Sequence, residues 1–278
     1  MQDAFAYCAE LVRTADRDRY LATLFAPAEH REALYALYAF NVEVARVREL
    51  SREPLPGEIR LQWWSEAVDG KRADEARANP VAAALLEIIE RRKLAATRLI
   101  ALIEAHRFDL YDEPMAGAGD LEAYASKTSS ALISLAAQIL TGVDVEEIAE
   151  PAGIACAIVG VMHKFPQHAA RRQLYVPVQL LEQHSVRVEE IFAAQSSAGL
   201  TATFAELRAI GGRYLAAVHE RMARLPGNAV SAFLPVALVR PSLDRLRRCD
   251  PFSPVELSPW RRQWLIWRAA RNTRRILS

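Results

Sequence analysis

The residues best suited to chemistry fall in three stretches: Leu37-Tyr38-Ala39-Phe40-Asn41-Val42-Glu43-Val44-Ala45-Arg46-Val47-Arg48-Glu49, Arg60-Leu61-Gln62-Trp63-Trp64 and Arg171-Arg172-Gln173-Leu174-Tyr175-Val176-Pro177. Carboxylates three or four residues apart on a helix share a face and can grip a hard divalent cation. Glu43 and Glu49 stand six apart and point to different faces, so they build no such pair. Glu43 lies three residues before Arg46, at ion-pair spacing. Lys164, Arg171 and Arg172 have the charge to take an anionic head group or a diphosphate directly, without metal, and equally suit a solvated surface. His163 and His168 flank Pro166 and read as ordinary surface or hydrogen-bonded histidines rather than as a metal pair. No glycine-rich phosphate loop, HExxH pair, GxSxG elbow or CxxC pair occurs, so the common nucleotide, zinc and hydrolase chemistries have no motif behind them.

Such side chains need a scaffold, and the scaffold reads as helical throughout. Gly (11) and Pro (14) are few in 278 residues, and apolar residues recur at three- and four-residue spacing rather than alternating. Leu34, Leu37, Tyr38, Val42 and Ala45 form one apolar stripe on a helix predicted over 28–50, which Pro54 and Pro56 stop. Further helices are predicted over 57–70, 80–93, 95–111, 120–140 and 147–164, then two short ones after Pro177, then 200–225, 230–248 and 258–277, with Pro235 kinking its helix or delaying its start. No repeat or low-complexity linker divides the chain, which predicts one all-α domain over 1–278.

The composition bounds the function classes. Hydrophobic residues at 51% and charged residues at 25% describe a globular chain, not a disordered one. A net charge of +1 provides no global field for nucleic acid, and no nucleic-acid partner is expected. Three widely separated cysteines, Cys8, Cys156 and Cys249, suit a reducing compartment. Apolar runs such as 131–140 and 154–162 stop short of a bilayer span of about 20 residues, so no transmembrane helix is expected, nor a secretory or transit segment at the N-terminus.

The order of the three stretches resembles the squalene and phytoene synthases, the head-to-head prenyl synthases. In that family an LYAF-type helix precedes an Asp-rich motif, RLxWW follows, and a second Asp-rich motif precedes an RGRxYLP-like stretch. Here the counterparts are Leu37 to Phe40, Arg60 to Trp64 and Arg171 to Pro177, and Tyr124-Ala125 falls where the family has a YA dipeptide. The resemblance covers roughly residues 5 to 250 and implies a single isoprenoid-synthase-type bundle around a central cavity. It also implies two facing Asp-rich helices holding Mg²⁺ ions, which grip prenyl diphosphates and stabilise the leaving group.

At those positions this chain departs from the pattern. Ala45, Arg46 and Glu49 stand where the first motif commonly reads DDxxD, and Lys164 and His168 where the second reads DxxxD. Five aspartates are replaced by a set of net charge +1, and Arg46 and Lys164 would repel Mg²⁺. The expectation is therefore a degenerate, non-enzymatic member with no catalytic residues, no metal and no cofactor. Its remnant cavity is expected at Asn41, Glu43, Arg60, Gln62, Trp64, Tyr124, Lys164, Arg171, Arg172 and Tyr175, where a prenyl or lipid ligand is conceivable, although Trp63 and Trp64 equally suit a core. The rival expectation is an active, Mg²⁺-using prenyltransferase that condenses farnesyl or geranylgeranyl diphosphate through altered ligands. Carboxylates from Asp109, Asp112 or Glu122 clustered toward Arg60 would favour it.

With basic residues in place of the second Asp motif, the segment from Phe40 to Ala45 followed by RLQWW is similar to the complex I assembly factor six branch of the family. That branch implies complex I subunits or assembly intermediates as partners. It places the chain in a bacterial cytoplasm, peripheral at the inner membrane, or on the matrix side if mitochondrial. The 258–278 segment sets Trp260, Trp264 and Trp267 beside Arg261, Arg262, Arg268, Arg271, Arg274 and Arg275 with no acid, a composition that suits either a bundle-closing helix or a membrane surface.

Overall fold

The computed structural model describes residues 2–51, 53–253 and 256–277; Ser278 and the side chain of Arg274, both in the basic terminal segment, lie outside the described residues. The described elements are all helical. α1 (Gln2–Ala15) and α2 (Arg17–Thr23) meet at Asp16, whose carboxylate caps α2 by accepting from the Arg19 amide at 3.2 Å. α3 (Ala28–Ala45) starts after Pro27 and is buried almost all round, with every residue from Ala33 to Phe40 in the core. The single stripe expected there is thus too narrow: α3 is a central helix wrapped by α1 and by elements that follow. Ala45, expected on the apolar stripe, is exposed.

The helix predicted over 28–50 breaks at Arg46 (φ −91°, ψ −1°), and α4 (Val47–Leu50) follows as a separate short helix. Glu43 and Glu49 therefore belong to different helices. α5 (Pro54–Val68) uses its prolines at the first turn, where a missing N–H costs nothing, and buries Leu61, Trp64 and Val68. α6 (Ala73–Ala78) leads to α7 (Pro80–Arg92), capped by Asn79, which accepts from the Val81 and Ala82 amides at 2.9 and 3.1 Å. α8 (Ala96–Ala105) tightens into a 3₁₀ turn over His106–Leu110, and α9 (Ala118–Ala125) passes through a π-helical turn, Ser126–Ser130, into α10 (Ala131–Thr141). The sequence had no signal for that π turn beyond its small polar residues.

α11 (Glu146–Ala170) organises the rest. It runs 25 residues, through Pro166 and six residues past its expected end at 164. By length and apolarity it is the one described helix that could span a bilayer, but 67% of its most apolar window is buried inside the bundle. One face (Ala152, Ala155, Val159) packs in the core around α3 and the other (Ile158, Met162, Phe165) in a second core, so a single helix ties both together. At its crossing with the π turn, a Cβ on Gly153 would lie 2.2 Å from the Ser130 amide nitrogen, so only glycine fits.

The second core is completed by α12 (Val178–Gln183), α13 (Val188–Phe192) and α14 (Ala198–Arg221), which lies along α11. The helix predicted over 230–248 is instead α15 (Val230–Phe233), a 3₁₀ segment Leu234–Leu238 and α16 (Val239–Leu246). Pro235 sits at the start of the 3₁₀ segment, where its lack of an N–H is tolerated. α17 (Pro259–Arg271) closes the chain against that segment and α2.

Candidate functional site

Two chain segments meet where α4 leaves α3 and where α11 ends. Arg171, at the C-cap of α11, places Nη1 3.5 Å from Glu49 Oε1, and Arg48 reaches Asp112 at 3.0 Å. Ala45 and Lys164 are exposed, Arg46 is half-buried, and His168 is half-buried with its ring 4.5 Å from that of Tyr175. Burial, and then the nearby charge of Lys164, lower the His168 pKa from 6.5 to about 4, so the ring is neutral at physiological pH. Its Nδ1 is buried without a hydrogen-bond partner.

Beside this seam lies a carboxylate held wholly by the protein. Asp109, on the 3₁₀ turn after α8, is 7% exposed. Its Oδ1 accepts from the hydroxyls of Tyr175 (2.7 Å) and Tyr124 (2.9 Å), and its Oδ2 from His106 Nδ1 (2.6 Å) and again Tyr124 (3.1 Å). Gln173 Nε2 donates to the Asp109 carbonyl at 2.9 Å. Three donors hold the two oxygens, the single Tyr124 hydroxyl proton being shared between them. Burial and then the Asp109 charge push both phenols well above their ordinary range, which keeps them protonated as donors. Phe108 stands against both tyrosine rings, at 6.0 and 5.8 Å between centroids. His106 Nε2 is buried and unpartnered.

A second charged seam joins α2, α3, α11 and α17. Arg19 is ion-paired with Asp16, lies 5.7 Å from the Tyr38 ring centroid, and is held charged by Asp16 and Tyr38 against burial. Asp18 is gripped bidentately by Arg262, with Nε at 2.9 Å. The Arg262 charge and burial both lower the pKa of His163, burial more.

The residues expected to line one cavity are divided by the structure. Tyr124 and Tyr175 meet on Asp109, and Lys164, Arg171 and Glu49 lie around the same seam. Asn41 and Glu43 are half-buried on α3. Arg60 and Gln62 are instead exposed on the outer face of α5, because Gly57, Leu61 and Trp64 take the inner one; Gln62 bonds Glu66 and accepts from Arg107. Trp64 packs edge-on against Phe40 at 5.4 Å, a core contact. Arg172, in the left-handed conformation (φ 57°), is exposed and stacks on Phe192 at 4.8 Å. Two pockets, of about 330 and 450 Å³, open elsewhere, at Arg13–Leu21 and between Arg91–Lys93 and Gln138–Gly142, and none of the expected lining residues borders either.

The donor set does not fit Mg²⁺. A hard cation needs several carboxylate or carbonyl oxygens, and the five positions supply one carboxylate, Glu49, already paired with Arg171, beside two cations and a neutral imidazole. The unaligned carboxylates do not make up the deficit: Asp109 is buried and held by three donors, Asp112 is paired with Arg48, and Glu122 lies near the Tyr214 hydroxyl, whose pKa it helps to raise. Among the described residues no group of three or more His, Cys, Asp or Glu side chains is arranged to hold a metal. Reasoning from sequence missed His106, whose i, i+3 spacing to Asp109 was the available signal, and the pairs of Asp16 and Asp18 with Arg19 and Arg262, the second of which is 244 residues apart and left none.

The squalene/phytoene synthase family model matches residues 12–268. Complex I assembly factor 6 of Rattus norvegicus is 30% identical over 250 residues, 89% of this chain and 75% of that protein. The Homo sapiens protein of the same name is 29% identical over 246 residues, 88% of this chain and 74% of its own. A solved dehydrosqualene synthase bound to a ligand superposes with a TM-score of 0.84 at 17% identity, covering 98% of this chain and 96% of that one, which shows the isoprenoid-synthase-type fold.

Proposed function

The chain belongs to the squalene/phytoene synthase family, and we propose that within it the chain is a catalytically degenerate member that serves as a non-enzymatic assembly factor for respiratory complex I at the membrane surface. The observation that carries the first half is the Glu49–Arg171 pair, which joins the two segments where metal-binding aspartates would stand. Without such ligands no Mg²⁺ is held to gather the charge of a departing diphosphate. Arg19 and Arg262, committed to Asp16 and Asp18, add internal ion pairs where the bundle's helices meet. The assembly half rests on relatives named as complex I assembly factors that match nearly the whole length of this chain.

The test is the complex I content of cells lacking the gene, read on native gels with NADH dehydrogenase staining. The expected result is loss of mature complex I, restored by the wild-type chain. Normal complex I in the deletion strain contradicts the proposal.

A further inference from the structure

The outer face of α17 is unaccounted for by the fold. Leu265, Ile266 and Ala269 form its buried stripe, and Arg262 fixes it to Asp18 of α2. On the opposite side stand Trp260 (82% exposed), Trp264 (52%) and Trp267 (45%). Their spacing of four and three residues puts the three rings on one ridge, continued one turn on by Arg271. Large aromatics are costly to leave in water, and three in a row on a single helix are not scattered surface residues.

The charge around the ridge selects the occupant. Arg268 lies over the Trp264 ring at 4.7 Å and Arg271 over Trp267 at 5.0 Å, while Arg261 is exposed beside Trp260; between Pro259 and Arg271 there is no acidic residue. Indole rings settle at the boundary between head groups and acyl chains, and arginine stems reach outward to phosphates. We propose that the α17 ridge docks the protein on an anionic lipid bilayer, with Trp260, Trp264 and Trp267 inserted at the interface and the exposed Arg261 and Arg271 at the lipid phosphates. The inference deepens the assembly reading by naming how the chain reaches the membrane. The buried stripe and the Arg262–Asp18 grip keep α17 on the bundle while its outer face meets lipid.

The test uses the purified full chain and no respiratory complex, so its failure leaves the complex I experiment standing, and failure of that experiment leaves this one. Co-sedimentation is measured with vesicles of pure phosphatidylcholine and of phosphatidylcholine containing roughly 30% phosphatidylglycerol. The wild type is expected to pellet with the anionic vesicles, with a blue-shifted tryptophan emission, and to release as salt rises. The combined W260A, W264A and W267A variant is expected to lose binding about tenfold or more, and R261E with R271E to lose the preference for anionic lipid. Circular dichroism checks that the variants keep the wild-type fold. Failure of the wild type to bind either vesicle, or equal binding by a folded triple variant, overturns the proposal; either result would turn the ridge toward a protein partner.

Discussion

Arg171 Nη1 lies 3.5 Å from Glu49 Oε1, so the end of α11, three residues past His168, is held by an ion pair to the short helix after α3, where Glu49 stands at an aspartate position of the family's first motif. The two side chains are 50% and 44% exposed, and at that exposure the pair is worth less than about 1 kcal/mol. Its meaning is chemical rather than energetic: the remaining carboxylate of the set faces an arginine rather than a second carboxylate. Restoring acids should create a metal response. In the variant A45D, R46D and K164D, millimolar Mg²⁺ is expected to raise the melting temperature by several degrees, whereas the wild type stays unchanged. Equal shifts in the two proteins would show that these positions do not face one another.

Asp109 is a buried carboxylate held by three side-chain donors. D109N keeps the shape but removes the charge that Tyr124, Tyr175 and His106 donate to, and is expected to cost about 2–4 kcal/mol in urea unfolding. Y175F removes one donor of several and should cost less, about 1–2 kcal/mol. A change below 0.5 kcal/mol in D109N, within the noise of surface substitutions, would contradict a carboxylate held by these three donors.

The neutral His168 gives stability a pH dependence. Its folded pKa, about 4, lies below the unfolded 6.5, so between these values the unfolded chain binds the proton and the native one does not. This contribution is complete above pH 6.5 and is lost as pH falls toward 4, with an upper bound of roughly 3 kcal/mol. His163, lowered mainly by burial, has the same sign. H168Q is expected to flatten urea midpoints measured between pH 7 and 5; an unchanged slope would mean that the ring is solvated.

Gly153 and Gly160 sit on the same helix in opposite surroundings. At Gly153 a Cβ would meet the Ser130 backbone, and at Gly160 it would meet nothing within 4 Å. G153A is expected to destabilise by about 2 kcal/mol or more through displacement of the π turn. G160A should be neutral or stabilise by up to about 1 kcal/mol. Thermal melts of the two variants decide it.

Much of this was legible from periodicity and breakers. The three-and-four spacing and the prolines located most helices, Pro80 and Pro259 beginning theirs where sterics favour them, whereas Pro54, read as a stop with the next helix expected from 57, itself begins α5. Periodicity failed where burial is all-round, on α3, and where a backbone change has no strong residue marker, at Arg46 and at the π turn. In the site, Tyr124 and Tyr175 were found through motifs, but Arg60 and Gln62 were misplaced, since a motif fixes the helix and not which face turns inward. Asp18 with Arg262 was out of reach because a pairing between the two ends of the chain is set by tertiary packing alone.

The most direct test of the degenerate reading is pyrophosphate release by the purified chain given farnesyl or geranylgeranyl diphosphate, with and without millimolar Mg²⁺. No release above the protein-free rate in either condition is the predicted result. Mg²⁺-dependent release, abolished by chelation, would contradict it and return the chain to the active prenyltransferases.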